Sequence, residues 1–596
     1  MKKVAYLLVS LYFLPTLVFA QKAEYFQYIE AAAERGWEAY PQVVAEWKAK
    51  VNPSELWGYD APSQPVYLAD ILGFLYRETG ERMYAERAAT LLTDYGDLRE
   101  AYPADYLTTR AEYVNGMPAV SNFFFLPAYS RAYLRIRDSG VLDAAARAKI
   151  EKDLAFSLDF VFHFPEWGAH NRAILRAEAL YDGYLAMPDH PHAARWKQMA
   201  EVIASDNLGE WEVEDATLYH GVWLRSLFAY ADIAGQEAIF DQPFLHYYAE
   251  YYKQLFTPAH TMSDFGDGAW NPLWYYYVSV YERLAARYQD AELKWLAARL
   301  FEANATAQQP PSVGVAAFLA QAYDWTDETL TPQQPASTSQ MVLDDVIGKK
   351  IVFRSGWDPD DTYLLLNYRD EGEGGFAHRG FLRNTISVEE EKMHHGHSDE
   401  NSIALLMDAG SVLLHDGGYR DDLPSGPYGQ YRADYFHNRL VVRKDKRDRY
   451  QSVPDFIRNS GAYRPVRTQK IDFLSLDAVD MSRTRLYDDN LGYAWDRIIT
   501  YVKDPGYFLA IDAINVKQTD YFTFTNLWHT QTIHEQGEHR YVTSIDSIQS
   551  VVLPQNKRLQ IQFLETYAKA DSFYTEQRHY QQEQAIYQTQ SSHYLA

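Results

Sequence analysis

The spacing of apolar residues changes once along this chain, and that change limits the folds open to it. From about Glu24 to Trp325 they recur at i, i+3, i+4 and i+7, as in PVYLADILGFLYRET (Pro65–Thr79), Ala119–Arg137 and Ile174–Met187. That is the spacing of one helix face. About eleven or twelve such segments follow one another, joined by short loops with Gly, Pro, Asp or Asn. No strict sequence period relates them, so a solenoid of near-identical repeats does not fit. Helical hairpins wound into a toroid or a stacked array are expected. After a Thr/Pro/Gln/Ser stretch (Thr326–Gln340) the pattern becomes KKIVFRSG, TYLLLNYRD, HNRLVVRK, YFLAIDAINV and YFTFTNLWH. Runs of this kind, apolar or alternating between turn residues, predict strands of a large antiparallel β-sandwich. The expected organisation is α+β and multidomain: a helical domain over 21–325, a linker over 326–342 and a β-sandwich over 343–596. The polar, Gln-rich end (QRHYQQEQAIYQTQSSHYLA) is expected to be a poorly tied tail.

Residues 1–20 read as a cleavable secretory signal. Lys2 and Lys3 precede the apolar run Val4–Phe19, and Val18-Phe19-Ala20 offers small residues before Gln21. The run is short against the roughly 20 residues of a spanning helix, so export to a periplasm or beyond is expected, with no stable membrane span after cleavage. The absence of cysteine excludes disulfides, thiolate metal sites and cysteine nucleophiles. A net charge of −25 argues against nucleic acid as a partner, since that needs a dense basic footprint.

The densest group of chemically capable residues is His394-His395-Gly396-His397-Ser398-Asp399, followed by His415-Asp416-Gly417-Gly418 and Tyr435-Phe436-His437-Asn438-Arg439. His395 and His397 are two apart and would share a face on a strand. One could then ligate a metal while the other points into a cleft. Further ligands could come from Asp416 and His437, at intervals that suit successive strands of one sheet. Without thiolates, two imidazoles and a carboxylate suit Zn²⁺ best.

HGHSDENSIALLMDAGSVLLHDGG followed by YFHNRLVV resembles the heparinase II/III-like polysaccharide lyases. The family pattern is HGHxDxxS, a strand ending in D-x-G, and an HN(T/R)L element. The resemblance implies an incomplete toroid followed by a β-sandwich, and β-elimination at a uronic acid of an anionic polysaccharide. A base removes the C5 proton beside the carboxylate and the 4-O bond leaves as an alcohol, so the carboxylate must be neutralised and the enolate stabilised. The family uses a tyrosine and a histidine for proton transfer, and a toroid residue on the carboxylate. In Glu166-Trp167-Gly168-Ala169-His170-Asn171-Arg172 the resemblance assigns Asn171 to that clamp, with His170 and Arg172 beside it. The His-Asn order, reversed in several relatives, leaves open which of the two faces substrate. Glu214-Asp215-Ala216-Thr217-Leu218-Tyr219 resembles the E-D-x-x-x-Y segment and makes Tyr219 the catalytic tyrosine, with Tyr230 as the fallback. A phenol ordinarily titrates near 10, so a Tyr219 base needs neighbours that favour phenolate. His395 becomes its partner across the cleft. His397, Asp416 and His437 would hold a structural Zn²⁺ beneath it. Asp267, in the loop DFGDGAWN, and Arg439, with Arg379, Arg383 and Arg432, are candidates for substrate contact. Trp211, Trp223, Trp270 and Trp274 are candidates for stacking on sugar rings.

Three other readings compete. A glycoside hydrolase on the same scaffold needs two carboxylates flanking the bond, and Glu214 and Asp215 are neighbours that point different ways. A non-catalytic glycan-binding protein would have lost part of the Asn171/Tyr219/His395 set, which is complete. A metal-dependent hydrolase would need an open coordination position beside a general base.

Overall fold

The computed structural model describes residues 21–50, 62–102, 116–120, 123–209, 216–266, 268, 270–271, 273–336, 348–369, 397–416, 434–444, 466–549, 551–564, 571–577 and 584–596. The expected signal (1–20) and the end of the expected linker (337–342) lie outside them.

The helices described are α1 (Gln21–Lys50), α2 (Gln64–Thr79), α3 (Arg82–Tyr95), α4 (Leu126–Ile136), α5 (Ala144–His163) and α6 (Asn171–Ala186). They continue with α7 (Ala193–Asn207), α8 (Thr217–Ala234), α9 (Pro243–Leu255), α10 (Trp274–Tyr288), α11 (Ala291–Ala307) and α12 (Val313–Trp325). Their ends follow local chemistry. Asp143 accepts from the Ala146 amide to start α5, and Asp290 caps α11. Gly80 and Gly235 close α2 and α8 in the left-handed conformation. Helix α2 packs on α4, α4 on α6, α6 on α8, α8 on α10, α10 on α12, and α12 returns onto α2. Helices α1, α3, α5, α7 and α11 pack onto members of this series. From His220 to Ala231 every residue of α8 is buried, the mark of a helix enclosed on all sides.

That enclosure carries charge with it. Asp70, Arg131, Arg135, Glu178, Asp182 and Arg225 form a buried network between α2, α4, α6 and α8. Burial, joined by the negative charges of Glu178 and Asp70, outweighs Arg131 and pushes the Asp182 carboxyl up to about 7. The folded protein therefore holds a proton on Asp182 that the unfolded chain releases near pH 4. Stability from this group is full below about pH 4 and declines as pH rises towards 7. Urea midpoints at pH 5 and pH 8 test this. The wild type should lose more stability between the two than Asp182→Asn, and equal losses would refute it.

The strands begin with β1 (Lys350–Arg354), β2 (Tyr363–Asn367), β3 (Ser402–Asp408), β4 (Ser411–His415), β5 (Leu440–Arg443) and β6 (Arg467–Ser475). Next come β7 (Val479–Asp488), β8 (Tyr493–Val502), β9 (Tyr507–Val516), β10 (Asp520–Thr530), β11 (Thr532–Gly537) and β12 (Arg540–Ser544). The last are β13 (Ser547–Ile548), β14 (Val551–Val552), β15 (Leu559–Gln562), β16 (Asp571–Gln577) and β17 (Gln584–Tyr594). Among the described residues they form antiparallel sheets in the orders β1-β2-β3-β4, β6-β7-β8-β9, β16-β17-β10-β5, β11-β12-β15 and β13-β14.

The Gln-rich end is not a loose tail. Strand β17 lies between β16 and β10 and pairs with β10 along its whole length. Its alternating polar residues find partners across the ladder, with Thr525 and Thr589 hydroxyls 3.1 Å apart and Thr523 and Ser591 hydroxyls 2.8 Å apart. Paired hydroxyls stabilise a strand that hydrophobicity alone does not reveal.

Sheet β1–β4 joins the two halves. Val352, Leu365, Leu405 and Met407 pack into the core of the helices, while Ile351, Leu364, Leu406 and Leu414 form a second cluster on the other face. Burial on both faces explains why these strands read as unbroken apolar runs. At the seam the buried Arg354 donates to the carbonyls of Gln254 (3.3 Å) and Phe256 (2.5 Å), which end α9. Its guanidinium lies 3.7 Å from the centre of the Trp357 ring, and burial pushes its pKa down to about 10.

Candidate active site

Two helix N-termini supply the helical side of the site. Asn171 is the first residue of α6 and is 1% exposed. Tyr219, half-buried, lies in the first turn of α8. The last turn of α7 brings them to the same end of the helical half. Asp206 accepts from the Gly168 amide just ahead of α6 (2.6 Å), and Asn207 accepts from the Trp223 indole on α8 (3.1 Å). His170 donates Nε2–H to the Trp167 carbonyl at 3.0 Å. Burial, reinforced by Arg172 and Arg176 against Glu166, pushes its pKa down to about 4, so it is neutral at physiological pH. Arg172 is partly exposed, holds Glu166 at 2.8 Å and lies 5.2 Å from the Phe123 ring centre.

The start of α8 is in turn fixed against the loop before α10. Thr217 Oγ1 donates to the Ser263 carbonyl (2.7 Å), and the Tyr277 hydroxyl donates to the Thr217 carbonyl (2.5 Å). Gly221 permits this close approach, because a Cβ there would stand 3.0 Å from the Tyr277 ring. His220 is buried among Tyr248, Tyr251, Tyr252 and Phe265. The buried Lys350 of β1 reaches the other side of Phe265, 4.3 Å from the ring centre. Next to Ser263, Asp264 Oδ2 lies 2.8 Å from His415 Nε2 at the end of β4. Trp270 meets the His415 ring edge-on at 5.9 Å. Thr217, two residues before Tyr219, is thus linked through Ser263 and Asp264 to His415, where helices and sheet meet.

On the sheet side, His437 Nδ1 lies 2.6 Å from Asp416 Oδ1, and Ser402 donates to Asp416 Oδ2 at 2.7 Å. The His397 and His437 rings are 5.6 Å apart. Burial works against charge on both members of the Asp416–His437 pair, yet their mutual attraction holds Asp416 below and His437 above its ordinary value. His437 Nε2 is buried and has no hydrogen-bond partner among the described residues. Asp416, expected as a ligand, lies against His437 and accepts from Ser402. No group of three or more His, Asp or Glu among the described residues is arranged to hold a metal ion.

Arg439, a candidate for substrate contact, is bound within the protein. It is 4% exposed, holds Glu400 at 2.6 Å and the Ser398 carbonyl, and lies 5.5 Å from the Trp495 ring centre. A buried guanidinium needs such partners, and Glu400, from the ENS segment of its own motif, supplies the charge. Trp223 and Trp274 are buried core residues, which leaves Trp270 as the described tryptophan near the site. His395, Asp267, Trp211, Glu214, Asp215, Arg379, Arg383 and Arg432 lie outside the described residues. The Asp264–His415 pair escaped sequence reasoning, although both of its motifs, DFGDG and HDGG, stood out. Nothing local says that residues 151 apart in the chain meet.

No protein-family profile and no curated protein sequence matches this chain. Solved structures do. A heparinase III superposes with a TM-score of 0.60 at 13% identity, covering 91% of this chain and 77% of its own. Heparan sulfate lyase HepC from Pedobacter heparinus gives 0.54 at 14% identity, covering 96% and 86%. A mutant of that lyase gives 0.55 at 13%, covering 92% and 80%. Helices first and antiparallel sheets after: this chain has the heparinase III fold.

Proposed function

We propose that the chain is a polysaccharide lyase that cleaves a uronic-acid-containing, anionic polysaccharide by β-elimination. What supports this reading is that the starts of α6 and α8, which carry Asn171 and Tyr219, are both tied to the last turn of α7, in a fold shared with heparinase III and HepC. The helical series closing on itself supports an (α/α) toroid, and the paired sheets behind it a sandwich.

In the proposed reaction the substrate carboxylate is neutralised by hydrogen bonding from Asn171, with His170 next to it. Neutral His170 brings no charge, and its single N–H is already given to the Trp167 carbonyl, so the hydrogen bond to the carboxylate falls to Asn171. Tyr219 and His395 carry the proton transfers: one takes the C5 proton, the C–H pair becomes the C4–C5 double bond, and the C4–O bond breaks as the leaving oxygen gains a proton. Withdrawal of charge from the carboxylate is what makes such a weakly acidic proton removable. Residues 1–20 would direct export.

A panel of uronate polymers, followed by ultraviolet absorbance of the unsaturated C4–C5 product, tests the reaction. One or more polymers should give rising absorbance. Rising reducing ends without absorbance would replace elimination by hydrolysis.

We further propose a structural Zn²⁺ at the His397/Asp416/His437 group. The donor types suit zinc, and the orphaned His437 Nε2 is where an ion would be held, together with His397. Asp416 would fix the His437 ring, as carboxylates do for ligating histidines. When bound, the ion would tie the segment carrying His395 to the sheet. Elemental analysis should find zinc in the purified wild type and little in His437→Ala. Equal zinc in both would refute this assignment.

A further inference from the structure

Three apolar clusters of the sheet-rich half meet without sealing against one another. Leu406 and Ile499 belong to the first, Leu440 and Phe524 to the second, and Ile561 and Phe563 to the third. All six side chains line one cavity of about 1030 Å³. It lies on the face of sheet β1–β4 turned away from the helices, and so apart from the candidate active site. Protein interiors are close-packed and rarely leave voids larger than a water molecule. This volume instead sits at the upper end of small-molecule pockets, roughly 300–1,000 Å³.

Asn526 and Trp528 both line the cavity. The outer wall is apolar and open: Leu509, Ile511 and Leu564 line the cavity while 39%, 52% and 68% exposed. Lys557, paired with Asp408, and Arg558 line it beside them. An apolar interior, an apolar entrance and cationic side chains at that entrance complement a molecule with a long apolar body and an anionic head.

We propose that this cavity binds an anionic amphiphile, with its acyl chain among the three clusters and its head at Lys557 and Arg558. The chemistry is shared by free fatty acids and by the chains of anionic lipids.

The test is titration of the full-length protein with anthroyloxy-stearate, a fluorescent fatty acid. Saturable one-to-one binding with blue-shifted emission is expected. Leu406→Trp, which narrows the cavity at its inner wall, and Ile511→Glu, which charges its entrance, should each weaken binding by about tenfold or more. Ile511 is exposed, so that variant tests the site even if Leu406→Trp fails to fold. Arg558→Glu should weaken the carboxylate probe more than the matching alcohol. Displacement by palmitate but not by phosphatidylglycerol vesicles identifies a free fatty acid as the guest, and displacement by vesicles a lipid chain. No saturable binding by the wild type, or unchanged binding by both cavity variants, overturns the proposal.

Discussion

Tyr219→Phe should lower kcat on the cleaved polymer by about 10²–10⁴-fold, the range that one proton-transfer group supplies, with little change in stability. The substitution removes one oxygen from a half-buried side chain in the first turn of α8. Bonds from Thr217 and Tyr277 fix that turn and remain in the variant. A loss of turnover with an unchanged unfolding midpoint therefore separates chemistry from folding. Full activity in the variant would remove Tyr219 from the mechanism. Tyr230 would not then replace it, because Tyr230 is 3% exposed and burial raises its hydroxyl pKa far above the ordinary value, the reverse of what a base requires.

The second large effect is on stability. Glu178 is fully buried and its two oxygens accept from Arg225 at 2.5 and 2.9 Å and from Arg131 at 2.8 Å. Arg131 also reaches Asp70 at 3.0 Å, Arg135 reaches Asp70 at 2.5 Å, and Arg225 Nε donates to Gln321 at 2.5 Å. Burial works to lower the Arg131 guanidinium, yet Asp70, Glu178 and Asp182 hold it above its ordinary value. With a proton held on Asp182, three arginines face the carboxylates of Asp70 and Glu178, so removing Glu178 leaves further buried positive charge uncompensated. Glu178→Gln should therefore destabilise the protein by about 3–5 kcal/mol, the cost of breaking one side of a buried pair. Arg77→Ala offers the contrast. Its pairs with Glu78 and Asp324 are partly exposed, and their loss should cost no more than about 1 kcal/mol. Guanidinium unfolding midpoints of the two variants measure the difference. Equal shifts would mean that the inner network adds nothing to the fold.

Local pattern carried much of the architecture. The 3.6-residue period of the first half appears as helices, and Gly80, Asp143, Gly235 and Asp290 stop or start them as such residues do. The apolar runs KIVFR, YLLLN and SVLLH appear as strands buried on both faces. Pattern failed where stability comes from partners rather than from hydrophobicity. Strand β17 reads as a polar tail because its register against β10 lies in Thr and Ser hydroxyls of another segment. Trp223 and Trp274 read as sugar platforms because exposure is not written in residue type.

The candidate site divides along the same line. Asn171, Tyr219, His397, Asp416 and His437 were visible as residues because each sits in a motif a few residues long, and side-chain chemistry is a property of the residue itself. Their grouping rested on the family resemblance and on spacing, not on any contact that local pattern shows. That Asn171 and Tyr219 share one end depends on Asp206 and Asn207 of a third helix. That Asp264 meets His415, that Arg439 is spent on Glu400 and that Asp416 holds His437 rather than standing free depend on how separate segments pack. Hydrophobic period is local and survives in a one-dimensional string. Proximity between distant segments exists only once the chain has folded.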